Sequence, residues 1–242
     1  MQTKPVASKK RPGRSAAQAT ESATSAPPPR RANAERTEAT QAALIAAARA
    51  LFVHKGYADT STPDIAAAAQ LTRGALYHHY TDKADLLYAA AGQAADEVAA
   101  EIALAGAPDA TPLQALADGA ERYFAAMAQH GRARLLLLDA PAVLSPERLR
   151  ALSDRAGAAE LLAGLRAALG AAPDALVAPS AAGSGGDGIE LPVLAELLSA
   201  AFDRAALAIA QGAPAAPYVT AMRSLLACVV GQGAARHPNP DA

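Results

Sequence analysis

The stretch STPDIAAAAQLTRGALYHHYTDK, Ser61 to Lys83, constrains this chain more than any other. Its punctuation predicts two short helices joined by a tight turn. Ser61 is placed to cap the first, with Asp64 three residues on as its capping-box partner. Pro63 falls in the first turn, where a missing N–H costs little. Ile65, Ala66 and Ala69 supply a small apolar face. Leu71 and Thr72 break the period, and Thr72 is placed to cap a second helix from Arg73 to Tyr80. In that helix Leu76 and Tyr80, one turn apart, point inward. Gly74, Ala75, Tyr77 and His78 then point away from Leu76, flanked by Arg73 and His79. An exposed helix face carrying Arg, Tyr and His with almost no acid suits a DNA major groove.

Composition sets the frame around this stretch. At 242 residues the chain has room for one large or two small domains. Its apolar content is 52% but aromatics are only 4%; much of the remainder is alanine, the strongest helix former. Runs of alternating Val, Ile and Thr are absent, so an all-α fold of about nine helices, with no sheet, is expected. The single cysteine, Cys228, forms no internal disulfide and fits a reducing cytoplasm. No apolar run reaches membrane-spanning length and the first residues lack a signal-peptide core, so no membrane partner is expected. Charge is unevenly distributed. Residues 1–36 are net +6, residues 37–90 net −1 and residues 91–242 net −6. A basic arm and a near-neutral head ahead of an acidic body would turn arm and head toward DNA.

Three segments follow: a disordered basic tail over 1–34, a helix-turn-helix domain over 35–90, and a larger helical domain over 91–242. The tail holds the clusters Lys9-Lys10-Arg11-Pro12-Gly13-Arg14 and Arg30-Arg31. It reads either as a solvated leader or as an arm on phosphates and the minor groove. Over 35–55, Leu44, Ala48, Leu51 and Phe52 mark one buried helix face, closed by Gly56 with Tyr57 packing back. Asp82 caps a fourth helix running toward Ala105. After Gly106-Ala107-Pro108, Thr111 opens a helix carrying Tyr123, Phe124 and Met127. Further helices follow over 132–144 and 145–170. Residues 171–190 read as a mobile loop. Its piece Gly183 to Gly188 lacks the preceding strand and terminal Gly-Lys-Ser/Thr of a phosphate loop.

The last two helices carry apolar seams: Leu194, Leu198, Ala201, Ala205 and Ala208, then Val219, Met222, Leu226 and Val229. Such seams either close the core of one chain or form a four-helix bundle with a second copy. A pocket for a small, largely apolar molecule is expected within the body. Tyr123, Phe124, Met127, Leu137 and Phe202 are its candidate walls, and His130, Arg134, Asp139 and Asp203 its candidate polar groups. An enzyme is disfavoured. The five histidines lie at no metal-ligand spacing, so no metal or cofactor is expected. Cys228 has no nearby His, and no glycine fingerprint or nucleophile elbow appears. A nucleoid-type DNA binder is the other rival; the tail fits it and the acidic body argues against it.

From about Thr37 to Leu87 the chain resembles the DNA-binding domain of TetR-type transcriptional repressors. The match is carried by Ala47, Leu51, Phe52, Gly56, Tyr57, Thr60, Ser61, Ile65, Ala66, Leu76, Tyr77, His79, Tyr80, Lys83 and the pair Leu86-Leu87. It covers about a fifth of the chain closely. The resemblance implies a ligand-responsive regulator, released from a palindromic double-stranded operator when a small effector binds. It favours the homodimer reading of the two seams, makes the fourth helix the lever between head and body, and places Lys83 on a DNA phosphate. Arg73 is the candidate for base readout, through guanine O6 and N7. Gly74 permits close backbone approach and Ala75 or Tyr77 a thymine methyl. Thr62, Thr72, Tyr77, His78 and His79 complete the expected DNA-facing set. Pro63, where relatives often have a polar or basic residue, reduces readout from its own helix.

Overall fold

The computed structural model describes residues 29–104, 109–170, 176–177 and 189–234. Residues 1–28, the Gly106-Ala107-Pro108 break and most of the expected loop over 171–190 lie outside the described residues. Nine helices are described. They are α1 (Pro29–Lys55), α2 (Thr62–Ala68), α3 (Arg73–His79), α4 (Lys83–Ala103), α5 (Pro112–Met127), α6 (residues 132–143), α7 (residues 146–169), α8 (Leu191–Ala210) and α9 (Ala215–Ala234). Helix α1 begins at Pro29, so the last residues of the expected tail are helical. The absence of sheet needs one amendment. Leu176–Val177 pairs antiparallel with Ile189–Glu190, a two-residue ladder inside the expected loop.

The chain divides between Glu38 and Ala39 into two compact units. In the first, Thr37 Oγ1 donates to the Asn33 carbonyl one turn back (2.9 Å). The second contains the rest of α1 and every later element.

Caps written in the sequence set the helix boundaries. Ser61 Oγ accepts from the Asp64 N–H and Asp64 Oδ2 accepts from the Ser61 N–H, both at 3.3 Å. Thr72 and Asp82 cap α3 and α4 by accepting from the N–H groups of Ala75 (3.1 Å) and Asp85 (2.8 Å). Thr111 and Gln114 make a second capping box at α5. Each such cap contributes about 1 kcal/mol. Gly56 ends α1 at φ +92°, a conformation glycine adopts without strain. Tyr57 then packs back on Phe52, ring centroids 5.4 Å apart.

The head core is Leu44, Ala48, Phe52, Ile65, Leu76, Leu86 and Leu87, all fully buried. It runs without interruption into the body through α4, whose inner face is alanine-rich. Helix α5 is the body's hub, packing against α4, α7, α8 and α9. Helix α6 widens into a π turn at Leu135–Asp139, just ahead of Pro141, which has no N–H to give. Helix α7 carries a second at Asp154–Ala158, broken by Gly157 at φ +123°. A Cβ on Gly157 would come within 2.7 Å of Ile102 Cδ1.

Part of each seam proposed for a dimer interface turns into the chain's own core. Leu198, Ala205, Met222 and Leu226 are buried in the single chain. Leu194, Ala201, Val219 and Val229 pack against the same cluster, and Ala208 is half-buried. Periodicity locates a stripe that must be covered but does not name the cover, and here the cover is chiefly α5. One position earlier along α8, Val193 and Leu197 remain 45% and 63% exposed, and Leu225 on α9 is 41% exposed.

Candidate functional site

Helices α2 and α3 present one polar surface. Leu76 is buried and Tyr80 half-buried, which leaves Arg73, Gly74, Tyr77 and His78 exposed, with Ala75 and His79 at the margin. Two hydrogen bonds hold this face to its neighbours. The Thr72 cap fixes the start of α3, and Thr62 Oγ1 lies 2.9 Å from Tyr77 Oη, tying α2 to α3. That bond and nearby Arg73 hold the Tyr77 phenol below its ordinary pKa. The His78 and His79 rings meet edge to face at 5.1 Å. Of the nine residues expected to face DNA, eight are grouped here: Thr62, Thr72, Arg73, Gly74, Ala75, Tyr77, His78 and His79.

Lys83, the ninth, is held by the chain itself. Its Nζ donates to the carbonyls of Tyr57 (2.8 Å) and Thr60 (2.9 Å) and lies 4.1 Å from the centroid of the Tyr57 ring. An ammonium has three hydrogens, and these contacts, with the Ala58 carbonyl at 3.5 Å, engage them within the chain. Lys83 therefore ties the α1–α2 turn to the start of α4 in the chain alone.

A network of arginines and carboxylates joins α4 to the elements around it. Arg49 on α1 pairs bidentately with Glu97 (2.6 and 2.8 Å). Arg132 reaches the same Glu97 (3.1 Å), Glu101 (2.6 Å) and the Ala126 carbonyl (2.9 Å). On the opposite side, Arg148 of α7 pairs with Asp85 in the first turn of α4 (2.7 Å) and lies over the Tyr88 ring. Arg155 pairs with Asp96. Arg49 and Arg132 hold the Glu97 carboxyl below its ordinary pKa, and Arg148 does the same for Asp85. Sequence periodicity carries no trace of these pairs, because each partner comes from a different helix.

The body encloses a cavity of about 990 Å³ between the end of α4, α5, α6, α7 and α8. Of the expected pocket residues, Tyr123, Met127, Leu137, Phe202 and Asp203 line it. Phe124 is buried behind it, its ring centroid 5.5 Å from that of Phe202. His130 is exposed at the end of α5. Arg134 and Asp139 turn toward each other, Nε to Oδ2 at 3.4 Å, and Arg134 Nη1 donates to the Val53 carbonyl (3.4 Å). These four do not belong to the cavity wall. The step of two residues from Arg134 to Leu136, about half a helical turn, puts Leu136 and Leu137 inward and Arg134 toward α1. The helix over 145–169 was expected to wall the pocket, but no residue on it was named; Leu149, Leu152 and Leu161 of α7 line the cavity.

Among the described residues no helix is long and apolar enough to cross a membrane. The signature of "Bacterial regulatory proteins, tetR family" matches residues 44–90. Over 62 residues the chain is 47% identical to the HTH-type transcriptional regulator CymR of Pseudomonas putida, covering 26% of this chain and 30% of that protein. It is 38% identical over 65 residues to the HTH-type transcriptional repressor BepR of Brucella suis, covering 27% of this chain and 31% of that one. The matches thus span under a third of the length of these relatives. Over most of the chain the likeness is one of fold. A TetR-family transcriptional regulator from Pectobacterium atrosepticum aligns at TM-score 0.52 and 27% identity, covering 81% of this chain and 94% of that one. One from Streptomyces coelicolor aligns at 0.58 and 23%, covering 83% and 84%.

Proposed function

Through residues 44–90 the chain belongs to the TetR family of bacterial regulatory proteins, and from that premise we propose that it is a ligand-responsive transcriptional repressor. It binds a palindromic double-stranded operator as a homodimer and is released by a small, largely apolar effector. The observation that carries this reading is the pairing of two surfaces through one helix. The exposed face of α3 abuts the start of α4, and the cavity abuts its end. Arg73, with Tyr77 and His78 beside it, enters the major groove, where a bidentate arginine–guanine contact discriminates by about 1–3 kcal/mol. Two such helices from a dimer address two half-sites.

The dimer forms through the exposed apolar residues of α8 and α9, Val193, Leu197 and Leu225, rather than the buried seams. The effector fills the cavity and favours an arrangement of α7 and α4 that spaces the two heads wrongly for DNA, a population shift between two conformations. Arg148 on Asp85 is the contact through which α7 acts on the head.

A mobility-shift titration tests this. The DNA is the region flanking the protein's own gene, with excess nonspecific competitor and varied salt. A discrete complex that survives competitor and is lost in Arg73→Ala is expected. Binding that competitor abolishes, unchanged in Arg73→Ala and lost on removing the basic tail, would replace the regulator with a nonspecific binder.

A further inference from the structure

Inside the apolar cavity sits an acidic pair with no counter-charge. Tyr123 on α5 donates its hydroxyl hydrogen to Asp203 Oδ1 on α8, and both side chains line the cavity beside Leu116, Met127 and Phe202. Among the described residues no ion pair reaches Asp203: Arg223 pairs with Glu121, Arg132 with Glu97 and Glu101, Arg134 with Asp139, Arg148 with Asp85 and Arg155 with Asp96. The lining also includes Arg150, Arg204, Asp154, Glu160 and Glu196, all solvent-exposed. Three acids against two arginines leave that margin net negative. Burial pushes the Asp203 carboxyl above its ordinary range and raises the Tyr123 phenol, so Tyr123 remains a donor. An ionised carboxylate in apolar surroundings is costly unless something positive meets it.

We propose that the cavity takes an apolar organic amine or ammonium ion, its positive nitrogen seated on Asp203 and its hydrocarbon body against Leu116, Met127 and Phe202. The inference rests on the reading of this cavity as the effector site and narrows it to one chemical class. Tyr123 is the positioning residue: by holding Oδ1 it orients the carboxylate and leaves Oδ2 toward the ligand. A fatty-acid-like anion would meet Asp203 with like charge, and a neutral chain would bring it no counter-charge.

Three probes with one hydrocarbon body separate these cases: decylammonium, 1-decanol and decanoate, titrated calorimetrically into the full-length protein below their micellar concentrations. Decylammonium should bind at least about tenfold more tightly than decanol, with decanoate weakest. Asp203→Asn should lose about tenfold or more in decylammonium affinity while decanol stays within about threefold. Tyr123→Phe should keep the preference for the amine in weakened form. If Asp203→Asn does not fold, the ranking of the three probes on the natural chain decides alone. Decanol or decanoate binding as tightly as decylammonium would overturn the cationic class and leave the cavity as an effector site. No binding by any probe would overturn both. Tight amine binding that leaves the operator complex intact would retire the effector reading while the cationic site stands.

Discussion

The head and the body are both helical, yet they are held in shape differently. The head sets two helices of seven residues, α2 and α3, too short to persist alone, against α1. Side-chain caps at Ser61 and Thr72, the Thr62–Tyr77 bond and a few fully buried residues fix it. The body is built from long helices whose alanine-rich faces pack closely around α5, with charged pairs along α4. It keeps a cavity of about 990 Å³. A small domain pinned by local signals suits rigid readout of DNA. A larger one with unfilled space has room to rearrange.

The largest effects should come from the cores of both regions. Phe52→Ala in the head and Leu226→Ala in the body should each lower unfolding free energy by about 2–5 kcal/mol in denaturant titrations. By contrast Leu197→Asp, on the exposed face of α8, should keep helix content while shifting sedimentation from dimer to monomer. Dissociation without unfolding in Leu226→Ala would return the seams to the interface and erase the distinction drawn here.

Next is Arg73→Ala, expected to weaken specific DNA binding by about 1–3 kcal/mol with no change in melting temperature. Thr72→Ala should cost about 1 kcal/mol of stability through the lost cap. An unchanged denaturation midpoint there would mean that α3 is held by packing, as the body helices are.

The smallest effect on stability belongs to Arg148→Ala, about 0–1 kcal/mol for a half-exposed pair. Its pH dependence has a definite sign. Arg148 depresses the folded-state pKa of Asp85. The pair's contribution is therefore present above the ordinary aspartate pKa of about 3.9 and fades as pH falls through the lower folded value. Natural and variant melting curves should converge in that acid range. A gap that persists there would assign Arg148 its role through the Tyr88 ring instead.

The head was legible in the sequence because its signals are local. A cap and the N–H it satisfies lie three residues apart, as with Ser61 and Asp64. The inward residues Leu76 and Tyr80 lie one turn apart. The body was legible only as helices. Leu198 and Leu226 announce that they will be buried, and nothing in their spacing says whether α5 or a second copy buries them. The partners of Lys83 in the chain are backbone carbonyls of Tyr57 and Thr60, which the sequence does not show as side-chain chemistry. Asp203 and Tyr123, 80 positions apart, meet only through the packing of α8 on α5.

Gly131, between α5 and α6, stands at φ +80°, and a Cβ there would fall inside Val53 of α1. Backbone and side chain thus bear on one another with no polar group between them. Ions in the medium screen the Arg49–Glu97–Arg132 linkage, whereas hard-core repulsion is indifferent to ionic strength. The contact of α1 with the α5–α6 turn therefore has a steric stop beside its ionic ties, and only the ties weaken as salt is raised.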